Sequence, residues 1–140
     1  MNYRDFIKNL KLEAPKMITK ENAEQFAHDW IDSWNSYDLD RVMSHYHEDV
    51  EYFSTFAAKL SGNTSGKLNG KDNVRNYLQK GLDAYPDLHF VLENVFIGIA
   101  SITLQYKSVN NLLAAEVFEL NEQALVMRVQ CHYKELTSSE

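Results

Sequence analysis

The spacing of hydrophobic residues along the chain changes near residue 88. Before this point they recur every three or four positions, as on the buried stripe of an amphipathic helix. After it they alternate with polar residues, as in strands that bury one face. Helices that come first and strands that follow are typical of the α+β class rather than of alternating α/β folds.

Three helices are predicted in the first part of the chain. Thr19 is a suitable N-cap for a long helix that ends near residues 35–36, and Asp38 can cap a shorter second helix. A third helix follows Gly70 and is stopped by Pro86. The apolar stripe of the long helix consists of Ala23, Phe26, Ala27, Trp30, Ile31 and Trp34.

The strands are predicted in two places. Residues 50–54 form a first strand, and residues 57–67 form a loop that contains Gly, Asn and Ser. Four later strands with short connections make an antiparallel meander, and they cover Leu88–Ile97, Ser101–Ser108, Leu112–Leu120 and Leu125–Tyr133. We expect a cone in which three N-terminal helices pack on a strongly curved, mostly antiparallel sheet. A cavity between the two layers is the expected ligand site.

The 140 residues amount to one domain. The predicted division is a lead-in of residues 1–18, a domain of residues 19–136 and a tail of residues 137–140. Phe6, Ile7 and Leu10 have helical spacing, which allows a short helix in the lead-in.

Charge and apolar run length exclude two classes of partner. The net charge is -6 and no basic patch is segregated, so nucleic acid is not an expected partner. No apolar run is long enough to span a membrane, and charges interrupt the N-terminus too often for a signal peptide. Cys131 is the only cysteine, so the fold cannot depend on an intramolecular disulfide. The expected location is cytoplasmic.

Six short segments of the sequence carry a family pattern. They are FAHDW (26–30), WNSYDLD (34–40), YHEDV (46–50), LNGKD (68–72), YPDL (85–88) and VQCHY (129–133). Together they resemble the NTF2-like superfamily, in its SnoaL-like branch of polyketide cyclase relatives, which is distantly similar to the ketosteroid isomerases. The resemblance covers roughly residues 19–135. It implies the NTF2-like cone and a homodimer formed through the outer sheet face, to which we assign residues such as Leu104 or Val117.

The resemblance to ketosteroid isomerases identifies candidate positions for chemistry. In those enzymes an Asp base moves a proton, while a Tyr and a protonated Asp donate hydrogen bonds to the developing oxyanion. Aligned on residues 46–49, the base falls on Ser54 and the phenol on Trp30. The acidic donor falls on Glu116, and Tyr46 matches a supporting Tyr. Because serine is not a base near neutral pH and an indole is not an acid, the same isomerase mechanism is not expected.

Glu116 is the acidic residue of greatest chemical interest. It lies in the otherwise apolar run 112–118. If it faces inward with Ala114 and Phe118, desolvation would raise its pKa toward the range of a general acid. The alternation also allows an outward side chain that faces solvent or an interface. His132 is either a catalytic base paired with Glu116 or a structural histidine at an edge or a dimer face.

Aromatic side chains are expected to line the cavity. The predicted pocket residues are Trp30, Trp34, Tyr46, Phe53, Ser54, Phe56, Phe90, Tyr106, Phe118 and Tyr133. His45 and His47 form a His-x-His pair at the end of a helical stretch, where their side chains point in different directions. We therefore expect no metal, and no motif indicates a cofactor.

Two functions follow from this interpretation. The first is a cofactor-independent acid–base enzyme of the cyclase, isomerase or hydrolase type that acts on a small hydrophobic carbonyl compound. The second is a non-catalytic module of the same fold that binds a small ligand or a second copy of itself. The base missing at Ser54 favours the second.

Overall fold

The computed structural model describes residue 2, residues 17–60, residue 62 and residues 64–137. The short helix considered for the lead-in lies outside the described residues. The helices are α1 (Lys20–Asn35), α2 (Leu39–Met43), α3 (Thr55–Leu60) and α4 (Lys71–Ala84). The strands are β1 (Tyr46–Phe53), β2 (Lys67–Asn69), β3 (Val91–Ile97), β4 (Ser101–Lys107), β5 (Leu112–Leu120) and β6 (Val126–Glu135). None of the helices in the described ranges is long and apolar enough to cross a membrane.

The six strands form one sheet in the order β2-β1-β6-β5-β4-β3. Strands β3 to β6 are the predicted antiparallel meander, whereas β1 joins β6 in parallel. The sheet is curled but not closed, and the helices cover its inner face. The predicted α+β class and curved, mostly antiparallel sheet are therefore confirmed.

The first two helices begin where their caps predict. The Thr19 side chain accepts a hydrogen bond from the backbone N–H of Asn22 at 3.0 Å, and the Asp38 side chain accepts one from Arg41 at 3.2 Å. Both side chains satisfy N–H groups that have no partner inside the helix. Five residues of the predicted α1 stripe are buried, and these are Ala23, Ala27, Trp30, Ile31 and Trp34.

The region between residues 46 and 69 differs from the prediction. Strand β1 begins at Tyr46 rather than at residue 50, because its first residue pairs with Val126 of β6. The predicted loop 57–67 contains most of α3, whose start is held by the Ser54 hydroxyl accepting from the Phe56 N–H at 3.2 Å. The structure therefore has four helices in its described part, and β1 and β2 lie between them.

The third strand starts at Val91 rather than at Leu88, because a side chain of α1 holds the chain just before it. The Asn35 amide donates to the Phe90 carbonyl at 2.9 Å and accepts from the Phe90 N–H at 2.7 Å. These two bonds replace the ladder partners that a strand residue would have. They also fix Phe90 over the end of α1.

The core is centred on Trp30, which is 1% exposed. Its ring lies within 5.2–6.0 Å of the rings of Trp34, Phe90, Tyr106 and Phe118, measured between centroids. Leu104 also belongs to this core and is fully buried. The assignment of Leu104 to the outer sheet face is therefore wrong, because it alternates inward with Ile102 and Tyr106 on β4.

Candidate functional site

A cavity of about 110 Å³ lies between the helices and the inner face of the sheet. Helices α1, α3 and α4 form one wall, and β1, β4, β5, β6 and the segments around residues 85–90 and 108–110 complete it. The lining residues are Trp34, Tyr52, Phe56, Leu60, Tyr77, Leu78, Gly81, Tyr85, Leu88, Phe90, Tyr106, Ser108, Val109, Asn110, Leu112, Glu116 and Tyr133. This volume is small for a ligand site, so it suits a compound of about one ring.

Glu116 lies on the inner face of β5 and is 2% exposed. Its neighbours at i-2 and i+2, Ala114 and Phe118, are buried on the same face. The Tyr106 hydroxyl of β4 donates to Glu116 Oε1 at 2.7 Å. Since Tyr106 is in register with Ala114, this bond joins a diagonal pair across the two strands. Of the two orientations that alternation allowed, the structure has the inward one.

Burial makes Glu116 a weaker acid than an exposed carboxyl group. Desolvation raises its pKa from 4.5 to about 7, while the hydrogen bond from Tyr106 lowers the pKa in part. Burial raises the pKa of Tyr77 to about 12 and also raises the pKa of Tyr52. Among the described lining residues Glu116 is the only carboxyl group, and none carries an imidazole, amine or thiol. Glu116 is therefore the lining group able to exchange a proton near neutral pH.

Two buried polar atoms have no hydrogen-bond partner among the described residues. They are Nε1 of Trp34 and Oε2 of Glu116, and both residues line the cavity. The other indole, that of Trp30, donates to the Tyr46 hydroxyl at 3.1 Å inside the core. A buried polar group without a partner typically destabilises the folded protein by about 1–3 kcal/mol. A ligand that forms hydrogen bonds with these two atoms would therefore gain more binding free energy than one that contacts only the apolar walls.

The predicted pocket residues divide between the cavity and its surroundings. Five of them line the cavity, and these are Trp34, Phe56, Phe90, Tyr106 and Tyr133. Trp30, Tyr46 and Phe118 lie in the packed core behind it. They support the cavity wall through ring contacts rather than by facing a ligand.

Ser54 and Phe53 are placed outside this cavity, on a separate open groove. Phe53 lies under the cations of Lys67 and Arg128, at 5.4 and 4.9 Å from its ring centre. Ser54 is buried, and its hydroxyl lies 3.4 Å from that of Tyr77. The placement of both in the pocket is therefore wrong. Tyr52 lines the cavity, so the next residue of the strand, Phe53, faces the opposite side, and Ser54 just after the strand lies on the same groove as Phe53.

His132 lies on the outer face of the sheet and is exposed. It is in register with Ala115, whose carbonyl lies 3.2 Å from its Nδ1, whereas Glu116 is in register with Cys131. Neighbouring residues on a strand face opposite sides. The predicted pairing of His132 with Glu116 is therefore wrong, and the sheet separates the two side chains.

Several lining residues were absent from the predicted pocket. Leu78, Gly81 and Tyr85 come from α4 and the turn after it. The α4 residues belong to the apolar stripe that the sequence shows, so periodicity marked them as buried. Which buried residues border empty space depends on how α4 sits on the sheet, and no sequence pattern gives that.

His28 and His45 each lie close to a different carboxylate. His45 Nε2 lies 2.6 Å from Asp29 Oδ2, and Asp29 also accepts from Arg41 at 2.6 Å. His28 lies 3.7 Å from Glu24. Within the described ranges, no group of three or more His, Cys, Asp or Glu is arranged to hold a metal ion.

Comparison with known proteins identifies a family that matches the chain and several solved structures that are similar to it. The model of the SnoaL-like domain matches residues 27–107. A SnoaL-like protein of unknown function from Burkholderia thailandensis is 36% identical, covers 84% of this chain and 98% of its own, and has a TM-score of 0.81. A candidate ketosteroid isomerase from Kribbella flavida is 18% identical, with coverage of 89% and 84% and a TM-score of 0.64. An NTF2-like protein of unknown function from Cytophaga hutchinsonii is 13% identical, with coverage of 84% and 91% and a TM-score of 0.62. None of the curated proteins compared with the chain matches it.

Helices on a curled, unclosed sheet give this small α+β protein the NTF2-like fold. The chain belongs to the SnoaL-like family. The resemblance stated from the sequence is thereby confirmed. The two more distant likenesses concern the fold alone.

Proposed function

We propose that the cavity binds a small hydrophobic carbonyl compound and that Glu116 acts on it as a proton donor without a cofactor. The observation that carries the proposal is the position of Glu116, a buried carboxyl group on an aromatic cavity with one oxygen lacking a protein partner. Apolar walls bind the body of the compound. A single acidic group fixes the orientation of its carbonyl group.

The Tyr106 bond determines which oxygen acts. Because its hydroxyl donates to Oε1, that oxygen is an acceptor, and the acid proton resides on Oε2. Oε2 can then donate to a ligand carbonyl. When an enolate forms or a nucleophile attacks, negative charge develops on the carbonyl oxygen, and a donor in a water-poor site stabilises that charge most. This is acid–base chemistry of the cyclase, isomerase or hydrolase type.

One observation favours a second function, which is binding without turnover. Proton abstraction from carbon needs a base, and the position where isomerases carry one is Ser54, outside the cavity. Glu116 is the only carboxyl group among the described lining residues. A module that uses Glu116 only to orient a ligand accounts for this as well.

Acetophenone and ethylbenzene provide the test, because they differ by the carbonyl oxygen. Titration calorimetry measures whether the folded protein prefers the ketone, and NMR in D2O measures exchange of the methyl protons, which reports enolisation. We expect the ketone to bind several-fold more tightly and Glu116→Leu, which has no polar group, to remove this preference. Glu116→Gln should keep it, because the Gln amide N–H can still donate to the carbonyl oxygen although it cannot release a proton. Glu119→Gln is the matched control, since Glu119 is an exposed residue of the same strand. Exchange no faster than with Glu116→Gln would favour the binding module, and absence of any preference for the ketone would contradict both functions.

We also propose a homodimer formed through the outer face of β4 to β6, as the family resemblance implies. Leu113, Ala115 and Val117 of β5 alternate with the inward residues and face this side. Light scattering at tens of micromolar would measure twice the chain mass. A strict monomer at that concentration would contradict the proposal.

A further inference from the structure

The cavity presents a second hydrogen-bonding position besides Glu116, at the indole of Trp34. This side chain is 6% exposed, and its Nε1 has no acceptor among the described residues. Trp30, one turn earlier on α1, is satisfied by Tyr46 and does not line the cavity. The two tryptophans of the chain are thus chemically distinct. The indole N–H of Trp30 is bonded inside the core, whereas that of Trp34 is buried without an acceptor in a residue that lines the cavity.

The chemistry of an indole restricts the group that can pair with it. An indole N–H donates and never accepts, so its partner must be an acceptor such as an ether, hydroxyl or carbonyl oxygen. An ammonium group or a hydrocarbon cannot satisfy it. Leaving the N–H unpaired under a bound apolar ligand would retain a penalty of about 1–3 kcal/mol.

The two polar positions are separated by aromatic surface. The Phe90 ring lies 5.2 Å from that of Trp34 and 4.8 Å from that of Tyr106, which in turn binds Glu116. A flat ring fits against such a wall, with one polar group directed to each end. The cavity volume of about 110 Å³ favours one ring over a fused polycycle.

We propose that Trp34 is a specificity-determining residue that binds a second oxygen of the ligand, so that the ligand is a single-ring aromatic carbonyl compound with an additional acceptor oxygen. This rests on the proposed function, in which Glu116 takes the carbonyl group. Glu116 favours ligands that have a carbonyl group, and among these Trp34 favours the ones that have a second acceptor oxygen.

A pair of nearly isosteric probes tests the role of Trp34. 4′-Methoxyacetophenone and 4′-ethylacetophenone share the ketone and differ by an ether oxygen in place of a methylene group. Calorimetry with the full chain should show the methoxy compound binding about threefold to tenfold more tightly, as one net hydrogen bond provides. Trp34→Phe should bring the ratio of the two dissociation constants close to one.

Two further variants separate the roles. Trp30→Phe is the matched control and should keep the ratio, because the Trp30 N–H is used inside the core. Glu116→Leu, which removes the donor to the shared ketone, should weaken both compounds and also keep the ratio. A wild-type ratio near one, with both compounds bound, would overturn the role of Trp34 and leave the proposed function standing. Failure of both compounds to bind the folded protein would overturn both.

A measurement on the unmodified protein makes the test independent of how Trp34→Phe folds. The chain has two tryptophans, so its ¹H–¹⁵N spectrum contains two indole signals. Saturation with 4′-methoxyacetophenone should move one indole proton downfield, as hydrogen bonding does, while 4′-ethylacetophenone should not. Equal shifts with the two compounds would overturn the proposal.

Discussion

The hydroxyl of Tyr106 donates to Oε1 of Glu116 at 2.7 Å, across two strands and within the buried wall of the cavity. The phenol keeps its proton, because burial raises the pKa of Tyr106 well above its ordinary value of 10. A neutral donor therefore faces a carboxyl group whose own pKa is raised to about 7. The other carboxyl oxygen, Oε2, is buried without a partner among the described residues.

Replacing Tyr106 by Phe should raise the pKa of Glu116 further above about 7. The hydrogen bond from Tyr106 favours the ionised carboxylate, so its loss disfavours that form. Carboxyl ¹³C chemical shifts followed against pH measure the change. Tyr37→Phe is the control, because its hydroxyl contacts backbone groups of Tyr85 and Leu88 rather than Glu116. A lower pKa in Tyr106→Phe would contradict the assigned direction of the bond.

The raised pKa of Glu116 should make the protein less stable as pH rises from about 4.5 to about 7. In this interval the unfolded chain releases the Glu116 proton while the folded protein retains it, so the folded state binds more protons. The stabilising contribution is complete below 4.5 and lost above about 7. At about 1.36 kcal/mol per pKa unit, it amounts to roughly 3 kcal/mol.

Urea unfolding of wild type and Glu116→Gln at pH 5, 6, 7 and 8 measures this effect. The difference between the two free energies of unfolding should shift in favour of Gln as pH rises. Glu119→Gln is the matched control, since Glu119 is an exposed residue of the same strand. A difference independent of pH would be inconsistent with a raised pKa.

Asn35→Ala should reduce the free energy of unfolding by about 1–3 kcal/mol. It removes both bonds that hold the Phe90 backbone, each worth about 0.5–1.5 kcal/mol. Thermal or urea unfolding measures the loss. Asn94→Ala removes an exposed bond to Gln105 and should change stability by less than about 0.5 kcal/mol. Equal effects of the two substitutions would contradict the role given to Asn35.

Gly66→Ala should destabilise the protein more than Gly62→Ala, by about 1–3 kcal/mol. Both glycines have positive φ, at +70° and +65°, so both substitutions share the strain of that conformation. A Cβ on Gly66 would lie 2.9 Å from the Ser54 carbonyl oxygen, whereas one on Gly62 meets nothing within 4 Å. Overpacking against backbone is expensive because the backbone cannot turn aside. Urea unfolding of the two variants compares them, and similar losses would contradict the contact.

The sequence predicted correctly those helix starts and strand limits that depend on interactions between residues close to one another in the chain. The Thr19 and Asp38 caps lie within three residues of the N–H groups that they bind. The alternation over residues 112–120 predicts β5 at its observed limits. The start of β1 at Tyr46 was missed because its partner, Val126, is 80 positions away.

In the candidate site, too, the sequence identified residue types, while distant contacts determined where their side chains lie. The sequence by itself identified Glu116 as an acid within an apolar strand, and Trp34, Phe90 and Tyr106 among the aromatic residues near it. Alternation has a period of two, so it left Glu116 equally suited to either face. Only the packing of α1 and the pairing of β4 with β5 turned Glu116 inward and His132 outward. Likewise Trp30 and Trp34 share one stripe, yet the Trp30 indole is bonded in the core and the Trp34 indole lacks a partner in a residue that lines the cavity. Only the tertiary contacts decided this, because the space around a side chain depends on residues far away in the chain.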